Sequence, residues 1–576
     1  MKLAQKILLL FTLCLFINLS FANIDSFQET QELASQGDAN AQNNLGVMYY
    51  RGQGVAQSYE QAFEWYSRAA NQGYANAQNN LGVMYTKGQY VSQSDAKAFE
   101  WFSKAANQGY AKAQNNLGMM YAIGEGVAQN YAKAFEWYSK AAAQGNASAQ
   151  YYLGLMYDQG DGVAQSDAKA FEWYSQAAGQ GYADAQFNLG VMYSRGQSVT
   201  QSYIKAFEWY SQAAGQGYAD AQFNLGVMYN RGQGVTQSYV KAFEWFSKAA
   251  AQGNASAQYY LGAMYEAGQG VAQNYAKAFE WYSKAAAQGN AVAQYNLGAM
   301  YETGRGVAQS DAKAFELYSK AAAQGHALAQ YNLGVMYAYG QGITQNYEQA
   351  FDWFIKSAVQ ENPLAQFNLG AMYETGRGVA QSDAKAFELY SKAAAQGHAL
   401  AQYNLGVMYA KGQGVAQSYA KAFEWYNKAV NQGYVKAQNN LGVMYSKGQG
   451  IVQSYAKAIE WYNKAANQGN AEAQFNLGVM YDRGQGVTQS YAKAFEWYSK
   501  AAAQGIVYAQ NNLGAMYAKG QGIVQSDTRA IEWFSKAATQ GYVRAQNNLE
   551  VMYETGNGTA KNTKLSSEWY LKTANN

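Results

Sequence analysis

The sequence predicts an all-α solenoid built from helix pairs, and three observations carry that prediction. A Leu-Gly pair recurs every 36 residues, at Leu45, Leu81 and Leu117 and onward in the same step to Leu513, and it closes as Leu549-Glu550. No insertion interrupts the step, so the 576-residue chain holds fifteen copies of one unit. Each copy carries two stretches of helical periodicity separated by a glycine-bearing loop. A fixed period of this length marks a solenoid, in which each unit buries its apolar face only against its neighbours.

The chain opens outside the repeats. Lys2 and Lys6 precede an apolar run from Ile7 to Leu19, and Ser20-Phe21-Ala22 has the small-x-small form of a cleavage site. Residues 1–22 are therefore expected to be a secretory signal peptide, and the product is expected in the periplasm or secreted. The apolar run is shorter than the roughly 20 residues a membrane span requires, so no stable span is expected after cleavage. Cys14, the only cysteine, would leave with the signal. A lipoprotein signal at Cys14 is disfavoured because Leu13 occupies the place of a small residue. Without Lys2 and Lys6 the formal charge falls from +3 to +1. A nearly neutral chain with interspersed signs argues against nucleic-acid binding, which needs a basic stripe. Residues 23–40 align with a second helix one period on: Phe27 falls on Phe63, Ala34 on Ala70 and Gly37 on Gly73. This segment is expected to cap the open face of the first repeat.

The repeat beginning at Ala75 shows what each unit builds. Ala77, Leu81, Met84 and Tyr85 share one helix face, and Gly88 ends that helix as a left-handed cap. Val91 pins the loop, and Ser94 or Asp95 caps a second helix. Ala98, Phe99, Trp101, Phe102, Ala105 and Ala106 give that helix an apolar arc wide enough for neighbours on two sides. Lys97, Glu100 and Lys104 lie on its polar side at ion-pair spacing, and Gly109 ends it. Gly82, inside the first helix, costs about 1 kcal/mol relative to Ala, so its recurrence predicts close approach of the second helix. The one proline, Pro363, falls at the first turn of a first helix, where a missing N–H is harmless. All 13 tryptophans occupy one register position, with Leu317 and Leu389 in two further copies, which assigns them to the core. Residues 39–548 form an unbroken array of fourteen repeats, and 549–576 a degenerate fifteenth that caps the C-terminus. Residues 299–338 recur unchanged at 371–410, the mark of a two-unit duplication.

The pattern A-x-A-Q-x-N-L-G-x-M-Y, followed by G-x-G-V-x-Q-S-D and K-A-F-E-W-Y-x-K-A-A-x-Q-G, resembles the Sel-one-like repeat, a relative of the tetratricopeptide repeat. The resemblance spans about residues 39–573. It implies a right-handed α/α superhelix that acts as an adaptor for protein complexes, and in bacteria such chains are often exported. One exported, cysteine-rich branch is tied to β-lactam binding and hydrolysis. The cysteines that staple its repeats are absent here, so that activity does not carry over.

The residues offer little chemistry. His326 and His398 are the only histidines, and they occupy the same place in the two copies of the duplicated segment. No zinc set, calcium loop, phosphate cradle or Ser-His-acid triad can be assembled. No cofactor and no metal are expected, and the chain is read as a non-enzyme and a monomer. The informative positions are those that vary between repeats. Two residues before the leucine, the array has asparagine near its ends, apart from Phe475, and aromatics in eight successive repeats: Tyr151, Phe187, Phe223, Tyr259, Tyr295, Tyr331, Phe367 and Tyr403. By the resemblance, this place lines a concave surface. Beyond it lie Glu266, Glu302 and Glu374, and in other copies Arg51, Lys87, Arg195, Arg231, Lys411, Lys447, Arg483 and Lys519. An aromatic floor with basic flanks suits an extended protein or peptide ligand, or a glycan. Two alternatives stand beside this reading. One is an envelope enzyme or wall-active factor that binds β-lactam or peptidoglycan. The other is a purely structural or adhesive array, in which the rings pack between repeats.

Overall fold

The computed structural model describes residues 26–574, so the signal-peptide segment lies outside the described residues. Thirty helices run from Ala39 to Ala574, twelve or thirteen residues each, and every regular element among the described residues is a helix. They alternate as first and second helices of repeats, numbered here 1 to 15 from the first helix of repeat 1, Ala39–Arg51. The described chain forms two units, one ending at Gln288 and the other beginning at Gly289. Repeats 1 to 7 lie in the first unit. The second unit begins with the first helix Ala291–Thr303 of repeat 8.

Caps set the helix bounds as the sequence predicts. In repeat 2 the first helix, Ala75–Lys87, ends at Gly88, which is left-handed with φ +63°. The second helix, Asp95–Asn107, starts at Ser94, whose side chain accepts a hydrogen bond from the Lys97 N–H. Pro363 opens a first helix behind Asn362, which accepts hydrogen bonds from the Leu364 and Ala365 N–H groups.

The core clusters join the second helix of one repeat to the first helix of the next, and some run on through further repeats. Ala206, Tyr210, Ala213 and Ala214 of Tyr203–Gly215 pack with Ala221, Leu225 and Met228 of Ala219–Arg231. No repeat closes a core by itself, which is why the chain stacks. The recurring glycine of the first helix is where the two helices of a repeat come closest. A Cβ on Gly226 would lie 2.5 Å from the ring of Phe246, and that ring is fully buried. At the N-terminus, residues 26–35 are helical, and Ala34 packs with Ala41 and Leu45. The Phe27 ring meets Tyr49 edge-on at 5.6 Å, the contact Phe63 makes with Tyr85 one period later.

The tryptophans need a correction. They are half-buried rather than central. Trp101 lays one face on the preceding cluster of Ala62, Tyr66 and Met84, and Lys104 covers it with its ammonium 4.2 Å from the ring centre. The residue after the tryptophan takes the central place, as Tyr174 and Tyr282 do at 1% exposure. Two adjacent aromatics on one helix cannot both face the axis of packing, and periodicity alone did not show which does. Lys104 also pairs with Glu100 at 2.7 Å, whereas Lys97 sits over Tyr85.

A glutamine network joins the repeats, and the sequence reading passed over it. Gln186, 3% exposed on a first helix, donates from Nε2 to the Ala178 carbonyl of the preceding second helix at 3.2 Å. It also accepts from Gln216 Nε2 at 2.8 Å. The same bonds recur at Gln114 and Gln474. They serve carbonyls in the last turn of a helix, which lack a full set of intrahelical partners. The signal was present in the A-x-A-Q motif: a glutamine that never varies at a position facing the core.

Candidate functional site

Consecutive first helices leave a notch between them, floored by the central aromatic of the second helix. Between repeats 1 and 2, Val47, Tyr50 and Arg51 face Asn80 and Val83 over Tyr66, around about 130 Å³. Between repeats 2 and 3, Thr86 and Lys87 face Asn116 and Met119 over Phe102, around about 180 Å³. In the second unit, Ala338 and Tyr339 of repeat 9 face Asn368, Ala371 and Thr375 of repeat 10 over Phe354, around about 140 Å³. The core beneath is nearly the same in each repeat, while the residues lining the notches differ.

The eight aromatic candidates lie four in each unit, and all are half-buried. Each ring is engaged in packing against neighbouring aromatics. In the first unit, Tyr151 lies 5.8 Å from Tyr174 and 5.1 Å from Tyr182. Phe187 meets Tyr210 and Tyr218, Phe223 meets Phe246, and Tyr259 meets Tyr282. In the second unit, Tyr295 meets Tyr318, Tyr331 meets Phe354, Phe367 meets Tyr390, and Tyr403 meets Tyr426 and Tyr434. At Asn43 and Asn79 an amide ladder takes the place of ring packing: Asn80 donates to Asn43 and Asn116 to Asn79, both at 3.0 Å. The position therefore belongs to the seam between repeats, with part of each residue left at the surface. Arg195, Arg231 and Lys411 are exposed at the ends of their first helices.

The residue before those basic ends points at the floor of the notch. At Glu266, Glu302 and Glu374 it accepts a hydrogen bond from the floor tyrosine: Tyr282 on Glu266 at 2.7 Å, Tyr318 on Glu302 at 2.6 Å and Tyr390 on Glu374 at 2.6 Å. Burial first, and then the adjacent carboxylate, push the Tyr318 and Tyr390 hydroxyls far above the ordinary tyrosine range. Each hydroxyl therefore stays protonated and serves as a donor. Among the described residues no group of three or more His, Cys, Asp or Glu side chains is placed to hold a metal ion, and no helix is long and apolar enough to cross a membrane.

His326 and His398 cap first helices. Their Nδ1 atoms accept from the Ala329 and Ala401 N–H groups at 3.2 Å, and their rings stack on Tyr295 and Phe367. Burial lowers both imidazole pKa values below the ordinary 6.5. The unfolded chain then binds protons more readily than the folded one, so stability is full above about pH 6.5 and falls as pH drops below it. Replacing both by Asn, the cap at Asn146 and Asn254, is expected to leave the melting temperature at pH 8 unchanged. It should also flatten its decline between pH 7 and pH 5. Melting curves across that range check this, and an equal decline in both proteins would rule it out.

Stacked helix pairs, a shared inter-repeat core and variable notches define a class: an α/α repeat scaffold of the kind that typically mediates protein–protein interaction. The chain belongs to the Sel1 repeat family, with fifteen successive segments from 39–74 to 543–576 matching the Sel1 repeat. Among solved structures it is similar to c5321, a protective antigen present in uropathogenic Escherichia coli strains and displaying an SLR fold. That match has 39% identity, a TM-score of 0.67 and coverage of 77% of this chain and 94% of that one. It is also similar to a Sel1 repeat protein from Oxalobacter formigenes, at 32% identity and a TM-score of 0.43, over 54% of this chain and 89% of that one. No curated protein matches the chain.

Proposed function

We propose that this chain is an exported, non-catalytic scaffold that binds a protein or peptide partner along the face formed by its first helices. The observation that carries the reading is the contrast between floor and lining. The core repeats almost without change, while the notch linings alternate among Arg51, Lys87 and Tyr339 at one register position. Packing holds a core constant, whereas a surface that reads a ligand can differ from unit to unit. Tyrosine and arginine are the side chains in which binding energy concentrates. Export is supported by the character of residues 1–22, and by likeness to a protein described as a protective antigen.

The test is site-specific photocrosslinking in the native host. A crosslinking residue at Arg231 or Tyr339 is expected to trap a partner. The same residue at Glu100 or Glu388, exposed on second helices, is expected to trap none. Adducts only from the second-helix positions would reverse the assignment. Fractionation of the same cells checks export: the expected result is a shortened chain in the periplasm or medium, and a full-length cytoplasmic chain would refute it.

A further inference from the structure

Three successive notches of the second unit carry an acid, an apolar and an acid lining in turn; the register of those acids is also acidic at Asp158 and Glu266 in the first unit and at Asp482 and Glu554 in the second. Glu302 and Glu374 stand next to last in the helices Ala291–Thr303 and Pro363–Thr375. The C-terminal end of a helix carries partial negative charge and favours cations; repeats 11, 12 and 14 obey this with Lys411, Lys447 and Lys519, while in repeat 13 Asp482 stands before Arg483. A carboxylate at that end works against the helix dipole, and such local conflicts concentrate at functional positions. Each carboxylate is held in its notch by one oxygen, Oε2, on the floor tyrosine. Both glutamates are half-buried, and among the described residues neither forms an ion pair.

Between these two lies the notch of about 140 Å³ floored by Phe354. Tyr339, 74% exposed, stands at its mouth. Tyr347 and Arg377 form the far rim, with the guanidinium 5.9 Å from the Tyr347 ring centre. A space of this size holds one aromatic or branched aliphatic side chain, and Arg377 offers donors to a main-chain carbonyl. The order along the second unit is acid, apolar, acid, and then, one residue further along each first helix, the basic ends from Lys411 on, with Asp482 beside Arg483. Adjacent helices stand about 10 Å apart, and an extended chain advances about 3.3 Å per residue, so one notch corresponds to about three residues.

Resting on the binding role argued above, we infer that repeats 8 to 11 bind an extended peptide segment with an apolar side chain flanked, about three residues to either side, by Lys or Arg. The apolar side chain fills the Phe354 notch, and the two cations reach Glu302 and Glu374. Charge complementarity selects this occupant over an acidic one, which belongs further along, beside those basic ends.

The duplication supplies an internal control. Repeats 9 and 11 match from their central leucine to Ala338 and Ala410, and then differ as Tyr339 against Lys411. Tyr339→Lys therefore gives repeat 9 a side chain that its sister already carries in a folded repeat.

The experiment measures fluorescence anisotropy of labelled peptides with the full chain. The probes are Lys-Ser-Ala-Phe-Ser-Ala-Lys, its Glu-flanked counterpart, and the Lys-flanked peptide with Ser in place of Phe. The Lys-Phe-Lys probe is expected to bind at least about tenfold more tightly than either of the others. Glu302→Gln with Glu374→Gln keeps an acceptor for the tyrosines and is expected to weaken that probe by about tenfold, as is Tyr339→Lys. Glu316→Gln with Glu388→Gln makes the same charge change on exposed second-helix sites and is expected to do nothing. Equal binding of the Glu-flanked probe would overturn the inference, and so would equal losses from the two double variants. Absence of binding by the Lys-Phe-Lys probe would overturn it as well. The wider scaffold reading would survive that result if crosslinks still formed from Arg231 and Tyr339, and would fall separately if they did not.

Discussion

Gly226→Leu is expected to lower stability by about 3 kcal/mol, read as an earlier midpoint in denaturant with the helical signal otherwise intact. The first helix gains up to about 1 kcal/mol of intrinsic propensity when Gly is replaced by a helix former. Packing outweighs that gain. The added Cβ alone falls 2.5 Å from Phe246 Cδ1 and Cε1. The Phe246 ring has 0% exposure and is enclosed by Ala249, Ala257, Leu261 and Met264 of its own cluster. It cannot retreat without displacing the next repeat. Because each core is shared between repeats, the damage should spread to repeat 7 rather than stay local. Hydrogen exchange would show loss of protection in the Tyr239–Ala251 and Ala255–Ala267 helices. An unchanged midpoint would remove close packing as the reason for this glycine.

Gln186→Glu is expected to cost about 3 kcal/mol at pH 7, despite replacing one side chain by another of the same shape. The amide nitrogen of Gln186 donates to two oxygens, the Ala178 carbonyl at 3.2 Å and Gln212 Oε1 at 3.1 Å. A carboxylate there places charge against two acceptors in a site that is 3% exposed. Burial and the loss of donors would raise the glutamate pKa in the folded state. The folded variant then binds protons more tightly than the unfolded one, so its deficit should shrink as pH falls through the raised folded value. It should nearly vanish below the unfolded value near 4.3. The parent should show no such recovery at this site. A variant as stable as the parent at pH 7 would mean that the glutamine network contributes nothing to the coupling of repeats.

Much of the fold is legible in the sequence because the repeat states it fifteen times. The period, the two helices, the Ser94 and Gly88 caps, the place of Pro363 and the close approach at Gly82 all follow from local rules that need no partner. Every repeat meets nearly the same neighbours, so a pattern read in one copy holds in the others. Membership of the Sel1 repeat family rests on the same regularity.

Tertiary structure decided matters that depend on direction. Trp101 and Phe102 are adjacent in sequence and similar in chemistry, yet only Phe102 turns inward, because the first helix and its glycine lie on that side. The aromatics from Tyr151 to Tyr403 show a pattern of variation that suits a binding floor. Their place in the seam, packed on neighbouring rings, emerges only when the next repeat is set against them. His326 reads as a minor surface variant until its Nδ1 is found capping a helix. Glu302 and Glu374 look like ordinary charged residues on a helix; what sets them apart is the tyrosine hydroxyl that reaches each from another helix. Local propensity and periodicity are properties of a single segment and can be read from it. Which face meets which neighbour, and which atom of a side chain remains free, are properties of the stack.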